Sequence, residues 1–253
     1  MVGSIDWQQS GALATVTLSK PARMNAMTRA MWLQLREVFL DISTHTDLRC
    51  VTVQGAGAHF CAGGDISEYP AFRFDPDSLM HFHEVEVWGG LQAMLDCPLP
   101  VLALVRGNCM GAGLEIASCC DLRMGATGSV YGAPIARLGF PMAPREAALV
   151  QQAVGAATAS AMLLSAQSFD AAHMLRCGFL AWSVPDEAVQ AQGDALVARM
   201  LALSPQAARL NKQVLRQAWP AQMPTPPSAY AYAASAQHRE GVQAFLEKRR
   251  ADF

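Results

Sequence analysis

Charged side chains are sparse in this chain: they make up 16% of its 253 residues, against about 25% in an ordinary soluble domain. Neither sign dominates, since 19 Lys and Arg stand against 21 Asp and Glu, a formal charge of −2. A chain this near neutrality carries no electrostatic footprint for nucleic acid or an anionic membrane. Hydrophobic residues reach 52%, yet the longest apolar run near the middle, Leu99 to Val105, is closed by Arg106, far short of the about 20 residues of a membrane span. Apolar surface in excess of what one domain can display is expected to be buried against other copies of the chain. The first ten residues, MVGSIDWQQS, have neither the basic end nor the apolar stretch of a signal peptide, and a cytoplasmic location is expected.

Several chemistries lack their motifs. The cysteines, at 50, 61, 97, 109, 119, 120 and 177, form no CxxC pair and no Cys/His cluster with zinc spacing, so neither a metal site nor a disulfide framework is expected. They read as small buried hydrophobes in a reducing compartment. There is no GK[ST] phosphate loop and no GxSxG elbow, and the residue three beyond Gly113 is Ile116 where a dinucleotide fingerprint needs glycine.

What is present is an alternation of strand and helix. Residues 12–18 alternate with period two, and 50–53 and 101–105 are short apolar runs suited to buried strands. Thr28 is placed to cap a helix whose stripe is Met31, Leu35, Val38, Phe39 and Ile42. Further strands are predicted at 121–126 and 129–131, a helix over 144–166, and another from Asp170 to a left-handed stop at Gly178. Beyond Pro185 the pattern is helical, with breaks near Pro205 and over Pro220–Pro227. The organisation read from this is a parallel-sheet core over 1–185 and a helical region over 186–253.

Two strands run into glycine-rich segments, GAGAHFCAGGD at 55–65 and GNCMGAG at 107–113. A helix starting near Gly111 leaves the N–H of Ala112 unpaired at the positive end of its dipole. Glu115, three residues on, projects from nearly the same face. The paired glycines at 63 and 64 offer a second exposed N–H at Gly64. Two donors converging on one oxygen beside a carboxylate would polarise a carbonyl next to an acid or base.

These segments resemble the crotonase superfamily of enoyl-CoA hydratases and isomerases. The resemblance runs through VTLSKPARMNAMT, HFCAGGDISE, LPVLALVRGNCMGAGLEIASCCDLRMGA, SPQAARLNKQVL and REGVQAFLEKRRADF, nearly the whole chain. It implies an α/β fold, a crotonase-like ββα spiral with a helical C-terminal region that trimerises, as a homotrimer or dimer of trimers. It implies a lyase or isomerase acting on an acyl-CoA, with coenzyme A as part of the substrate and no permanently bound cofactor. Gly64 and Ala112 match the donors that hold the thioester carbonyl, and Glu115 matches the first of the hydratase's two glutamates. Ala22, Arg23, Met24 and Ala62 match contacts to the adenine end of coenzyme A, and Lys248 matches a position that reaches a neighbour's nucleotide.

One position departs from the family. Hydratases carry Gly-x-Pro-Glu-x-x-x-Gly after the next strand, whereas here Gly132 to Gly139 reads GAPIARLG. Ile135 stands where the second glutamate would be and cannot transfer a proton. A two-glutamate hydration mechanism is therefore not expected, and crotonyl-CoA hydration is expected far below that of a two-glutamate enzyme. Isomerisation, decarboxylation or hydrolysis of an acyl-CoA, slow hydration, or binding without catalysis all fit the remaining groups. Glu146, His81, His83, Glu84 and Glu86 are the nearby candidates for a replacement.

Overall fold

The computed structural model describes residues 3–216, 232–233 and 235–253. Six strands, β1 (Ser4–Ser10), β2 (Leu13–Ser19), β3 (Cys50–Gly55), β4 (Val101–Val105), β6 (Leu122–Ala126) and β9 (Trp182–Val184), form one sheet in the order β1-β2-β3-β4-β6-β9. The other three, β5 (Asn108–Met110), β7 (Val130–Gly132) and β8 (Ser168–Asp170), form a second sheet in the order β5-β7-β8. In the large sheet β1 is antiparallel to β2 and each later pair is parallel, as crossover connections require.

The predicted strands are present, and four more accompany them. β1 was hidden because it is an edge strand of mostly exposed polar residues, with only Ile5 and Trp7 turned to the core, too few to mark an apolar face. β5, β8 and β9 have only three residues each, too few for a period to register. Thr28 caps α1 (Arg29–Thr44), its hydroxyl accepting from the Met31 N–H at 3.2 Å. The stripe Met31, Leu35, Phe39 and Ile42 is buried, with Val38 at its edge.

Between β3 and β4 the chain climbs through α2 (Pro76–His81), a π-helical turn at Phe82–Val87 and α3 (Trp88–Asp96). The second glycine segment leads into α4 (Ala112–Cys119), every residue of which is buried. The helix expected over 144–166 is two helices, α5 (Pro144–Val154) and α6 (Ala156–Ser165). Gly155, at φ 81°, turns the chain between them in a conformation open chiefly to glycine. α7 (Ala171–Arg176) is capped by Asp170 and ends before Gly178 as predicted.

After Val184 the described residues are helical: a short 3-10 turn, then α8 (Val189–Leu201), α9 (Pro205–Arg216) and α10 (Ala236–Leu246). The break over 220–227 and Tyr230 lie outside the described residues. The main core packs α1, α3 and α4 against one face of the large sheet. A second cluster places Val189, Leu196 and Val197 of α8 against Leu102, Leu104 and Met124 on the other face. Burial on both faces is why β4 reads VLALV without alternation. α9 is held by charge: Lys212 reaches Asp121 at 2.8 Å and the Leu99 carbonyl at 2.6 Å, while Arg216 binds Asp121 at 2.7 Å.

Candidate active site

The two glycine segments meet. Cys61 and Cys109 form a parallel bridge, the Cys61 N–H donates to the Asn108 carbonyl at 2.9 Å, and the Met110 N–H donates to the Cys61 carbonyl at 2.9 Å. Gly111, at φ 46°, lets the chain turn sharply into α4. A Cβ on it would lie 3.6 Å from the Gly63 Cα, so the two turns stand face to face. Neither the Gly64 N–H nor the Ala112 N–H donates to another group among the described residues. Both residues line one cavity of about 310 Å³. The donors predicted from spacing are thus on one wall of one cavity, and the Ala112 N–H also opens the first turn of α4.

Glu115 lines the same cavity from the next turn of that helix. It is buried, at 7% exposure, and has no ion-pair partner among the described residues. Burial first, and then the negative charge of Glu146, push its carboxyl well above the usual carboxylate range. A carboxyl that resists ionisation is thereby held beside two N–H donors. A helix salt bridge, the structural alternative for an acid at this place, is not formed.

Ile135 faces the cavity from a short 3-10 turn at Ile135–Leu138. A second carboxylate nevertheless enters, from the first turn of α5. Glu146 is buried, at 3% exposure, and its Oε1 lies 2.8 Å from Nδ1 of His83 on the π-helical turn. Glu115, Glu146 and His83 all line the cavity. The other replacement candidates are engaged elsewhere. Glu84 pairs with Arg145 at 3.4 Å, and Glu86 accepts from Arg29 Nε at 2.9 Å with exposed His81 3.7 Å away.

Among the cavity residues that escaped sequence reasoning are Tyr69, Arg73 and Phe140. The Arg73 guanidinium lies 3.5 Å from the centre of the Phe140 ring and 4.6 Å from that of Tyr69. Burial pushes the Tyr69 phenol up to about 12. A Cβ on Gly64 would come within 2.3 Å of the Tyr69 hydroxyl, which explains the second glycine of the pair. Tyr69 comes from a short 3-10 turn, Ile66–Ala71, and Arg73 and Phe140 from the non-helical stretches around 72–75 and 139–142, all too short for a period to reveal them.

The residues matched to the nucleotide end lie apart from the cavity lining, except Ala62. Ala22 and Arg23 are exposed on a 3-10 turn, and Met24, at φ 50°, accepts from the Ala62 N–H at 2.9 Å. That turn is therefore fastened to the first glycine segment. Buried Asn25 explains the Pro-x-x-x-Asn spacing: its side chain accepts from the Lys20 N–H and donates to the Ala56 and His59 carbonyls at 2.9 and 2.7 Å. Lys248 is exposed just beyond α10 and does not line the cavity. Among the described residues no group of three or more His, Cys, Asp or Glu could hold a metal ion, and no helix is long and apolar enough to cross a membrane.

Comparison with known proteins gives the family and the fold. Residues 8–253 match the profile of the enoyl-CoA hydratase/isomerase family. A probable enoyl-CoA hydratase of Rhodobacter capsulatus is 32% identical over 259 aligned positions, covering 99% of this chain and 97% of that protein. The 2,3-dehydroadipyl-CoA hydratase of Escherichia coli is 29% identical, covering 94% of this chain and 93% of its own length. Among solved structures, an enoyl-CoA hydratase/carnithine racemase from Magnetospirillum magneticum superimposes with a TM-score of 0.93 at 33% identity, covering 98% of this chain and 94% of that one.

Proposed function

This chain belongs to the enoyl-CoA hydratase/isomerase family of enzymes acting on acyl-CoA, and on that premise we propose that it works through a thioester enolate. In this reading the thioester carbonyl sits between the N–H groups of Gly64 and Ala112, and Glu115 moves a proton at the adjacent carbon. Preorganised donors stabilise the enolate oxygen as charge develops on it, an effect of about 3 kcal/mol per donor. Supporting this above all is the placement of both unpaired N–H groups and a buried carboxyl, raised above the usual carboxylate range, on one cavity.

Coenzyme A enters as part of the substrate, its adenine end along Ala22–Met24 and Ala62, with Arg23 and a neighbour's Lys248 near phosphate. Self-association as a homotrimer or dimer of trimers fits the exposed apolar residues of the C-terminal helices, Leu215, Phe245 and Leu246 among them. A reducing, cytoplasmic setting suits the free cysteines, six of them buried. Turnover of a panel of enoyl-, malonyl-type and 3-hydroxyacyl-CoA thioesters tests the reading. Conversion of at least one with a proton exchanged beside the thioester is expected, and binding without turnover of any would reduce the protein to an acyl-CoA carrier.

A further inference from the structure

We infer that Glu146, positioned by His83, is the second proton-transfer group of this site and stands in for the carboxylate missing at Ile135. The inference rests on the enolate reading above. It starts from where the groups are. Glu146 enters the cavity that Gly64, Ala112 and Glu115 share, from a helix that does not carry the family's second glutamate. The neighbouring acids are already paired outward, Glu84 with Arg145 and Glu86 with Arg29. Glu146 alone among the replacement candidates joins Glu115 as a carboxylate on the cavity wall, with the imidazole Nδ1 of His83 2.8 Å from its Oε1.

The source of that imidazole adds to the case. His83 lies in the π-helical turn Phe82–Val87 between two α-helices. A π turn inserts a residue into the helix, re-aims the side chains that follow, and recurs at functional sites. Buried behind the cavity wall, a carboxylate with no partner would rotate or take up a proton. His83 holds Glu146 in one orientation, so His83 is a positioning residue. The negative charge of Glu146 is also the second cause, after burial, of the raised Glu115 carboxyl, which favours Glu115 as the proton donor of the pair.

The roles follow for hydration of a 2-enoyl-CoA. A water proton passes to the Glu146 carboxylate as the water oxygen bonds to Cβ. The electron pair of the Cα–Cβ double bond moves toward the thioester and becomes the enolate, whose oxygen is held by the Gly64 and Ala112 N–H groups. Glu115 gives its proton to Cα and the carbonyl reforms. One water has then been added, Glu146 is protonated and Glu115 ionised, and return of one proton from Glu146 to Glu115 restores both. Ile135 need not take part.

The test compares two reactions of the full chain. Hydration of crotonyl-CoA needs both groups, whereas solvent deuterium exchange at Cα of butyryl-CoA, which has no double bond to hydrate, needs only the oxyanion donors and Glu115 in its ionised form. Glu146→Gln is expected to lower kcat for hydration about a hundredfold, with KM within about threefold of wild type and exchange at least as fast as in wild type, since loss of the Glu146 charge lets Glu115 ionise more readily. Glu115→Gln is expected to lose both reactions. His83→Ala should lower the hydration kcat about tenfold at unchanged KM, and His83→Asn, which keeps a donor near the Nδ1 position, should recover part of it. A hydration kcat in Glu146→Gln within about threefold of wild type overturns the inference, as does loss of exchange along with hydration in that variant. If Glu146→Gln does not fold, an unchanged kcat in His83→Ala overturns it equally. A wild type that exchanges Cα–H but hydrates no enoyl-CoA refutes the role of Glu146 alone, and one that exchanges nothing refutes the enolate reading beneath it.

Discussion

A methyl group placed on Gly113 would stand 2.6 Å from the carbonyl oxygen of Cys61. α4 can approach the first oxyanion loop only because that position has no side chain. The same Cys61 carbonyl accepts the Met110 N–H, so the contact cannot relax without breaking the strap between the loops. Gly113→Ala is expected to lower stability by about 2 kcal/mol, as overpacking a rigid contact does, and to lower turnover further by moving the Ala112 N–H. Urea unfolding and steady-state kinetics on the same variant check both; unchanged turnover would mean that the donor's placement tolerates the shift.

Glu115→Gln keeps shape and burial but removes the proton. Turnover should fall at least a hundredfold, the ordinary size of an acid–base contribution, while binding of a saturated acyl-CoA, measured by calorimetry, stays close to wild type. Near-normal turnover would exclude Glu115 from the chemistry.

The same substitution has a signature in stability. Glu115 is raised above its ordinary value of 4.5 by burial and by the charge of Glu146. The folded protein therefore keeps a proton that the unfolded chain releases, and stability falls as pH rises from 4.5 through the raised value. Gln removes that slope. Thermal unfolding should find Glu115→Gln more stable than wild type at pH 8, by a few degrees, with the difference shrinking toward pH 4. A constant difference at all pH values would show that the carboxyl is not held neutral.

Asp121 joins α9 to the sheet through Lys212 and Arg216, and its Oδ2 also accepts the Val101 N–H at 2.8 Å at the start of β4. Lys212 is buried, so Asp121→Ala leaves a cation without its partner. A loss of about 3 kcal/mol is expected in urea unfolding, and proteolysis should begin in the C-terminal helices. A loss no larger than that of an exposed ion pair, below about 1 kcal/mol, would place the anchor of α9 elsewhere.

Assembly is open to a direct measurement. Leu215, Phe245 and Leu246 are 81%, 82% and 73% exposed in the single chain, an amount of apolar surface that favours association. Light scattering at micromolar concentration should report a trimer or a multiple of it, and Phe245→Glu should shift the mass downward. A wild-type monomer would contradict the proposed assembly.

Read alone, the amino-acid sequence determined what depends on local spacing. The caps at Thr28 and Asp170, the stripe of α1, the buried runs of β3 and β4, and the order Gly111-Ala112-Gly113-x-Glu115 are short-range patterns, and short-range geometry carries them into the structure. The departure at Ile135 was legible only through the resemblance to the family's motif. Which group answers that departure was not. Glu146 and His83 are 63 residues apart, and each has several neighbours of the same chemical type: Glu84 and Glu86 are as acidic, and His81 as basic. Only the packing that brings the π turn at Phe82–Val87 and the first turn of α5 to one cavity separates the members of that set. Tyr69, Arg73 and Phe140 likewise reach the cavity from short turns and loops. Their positions are decided by packing between distant segments, an energy that no local window of sequence contains.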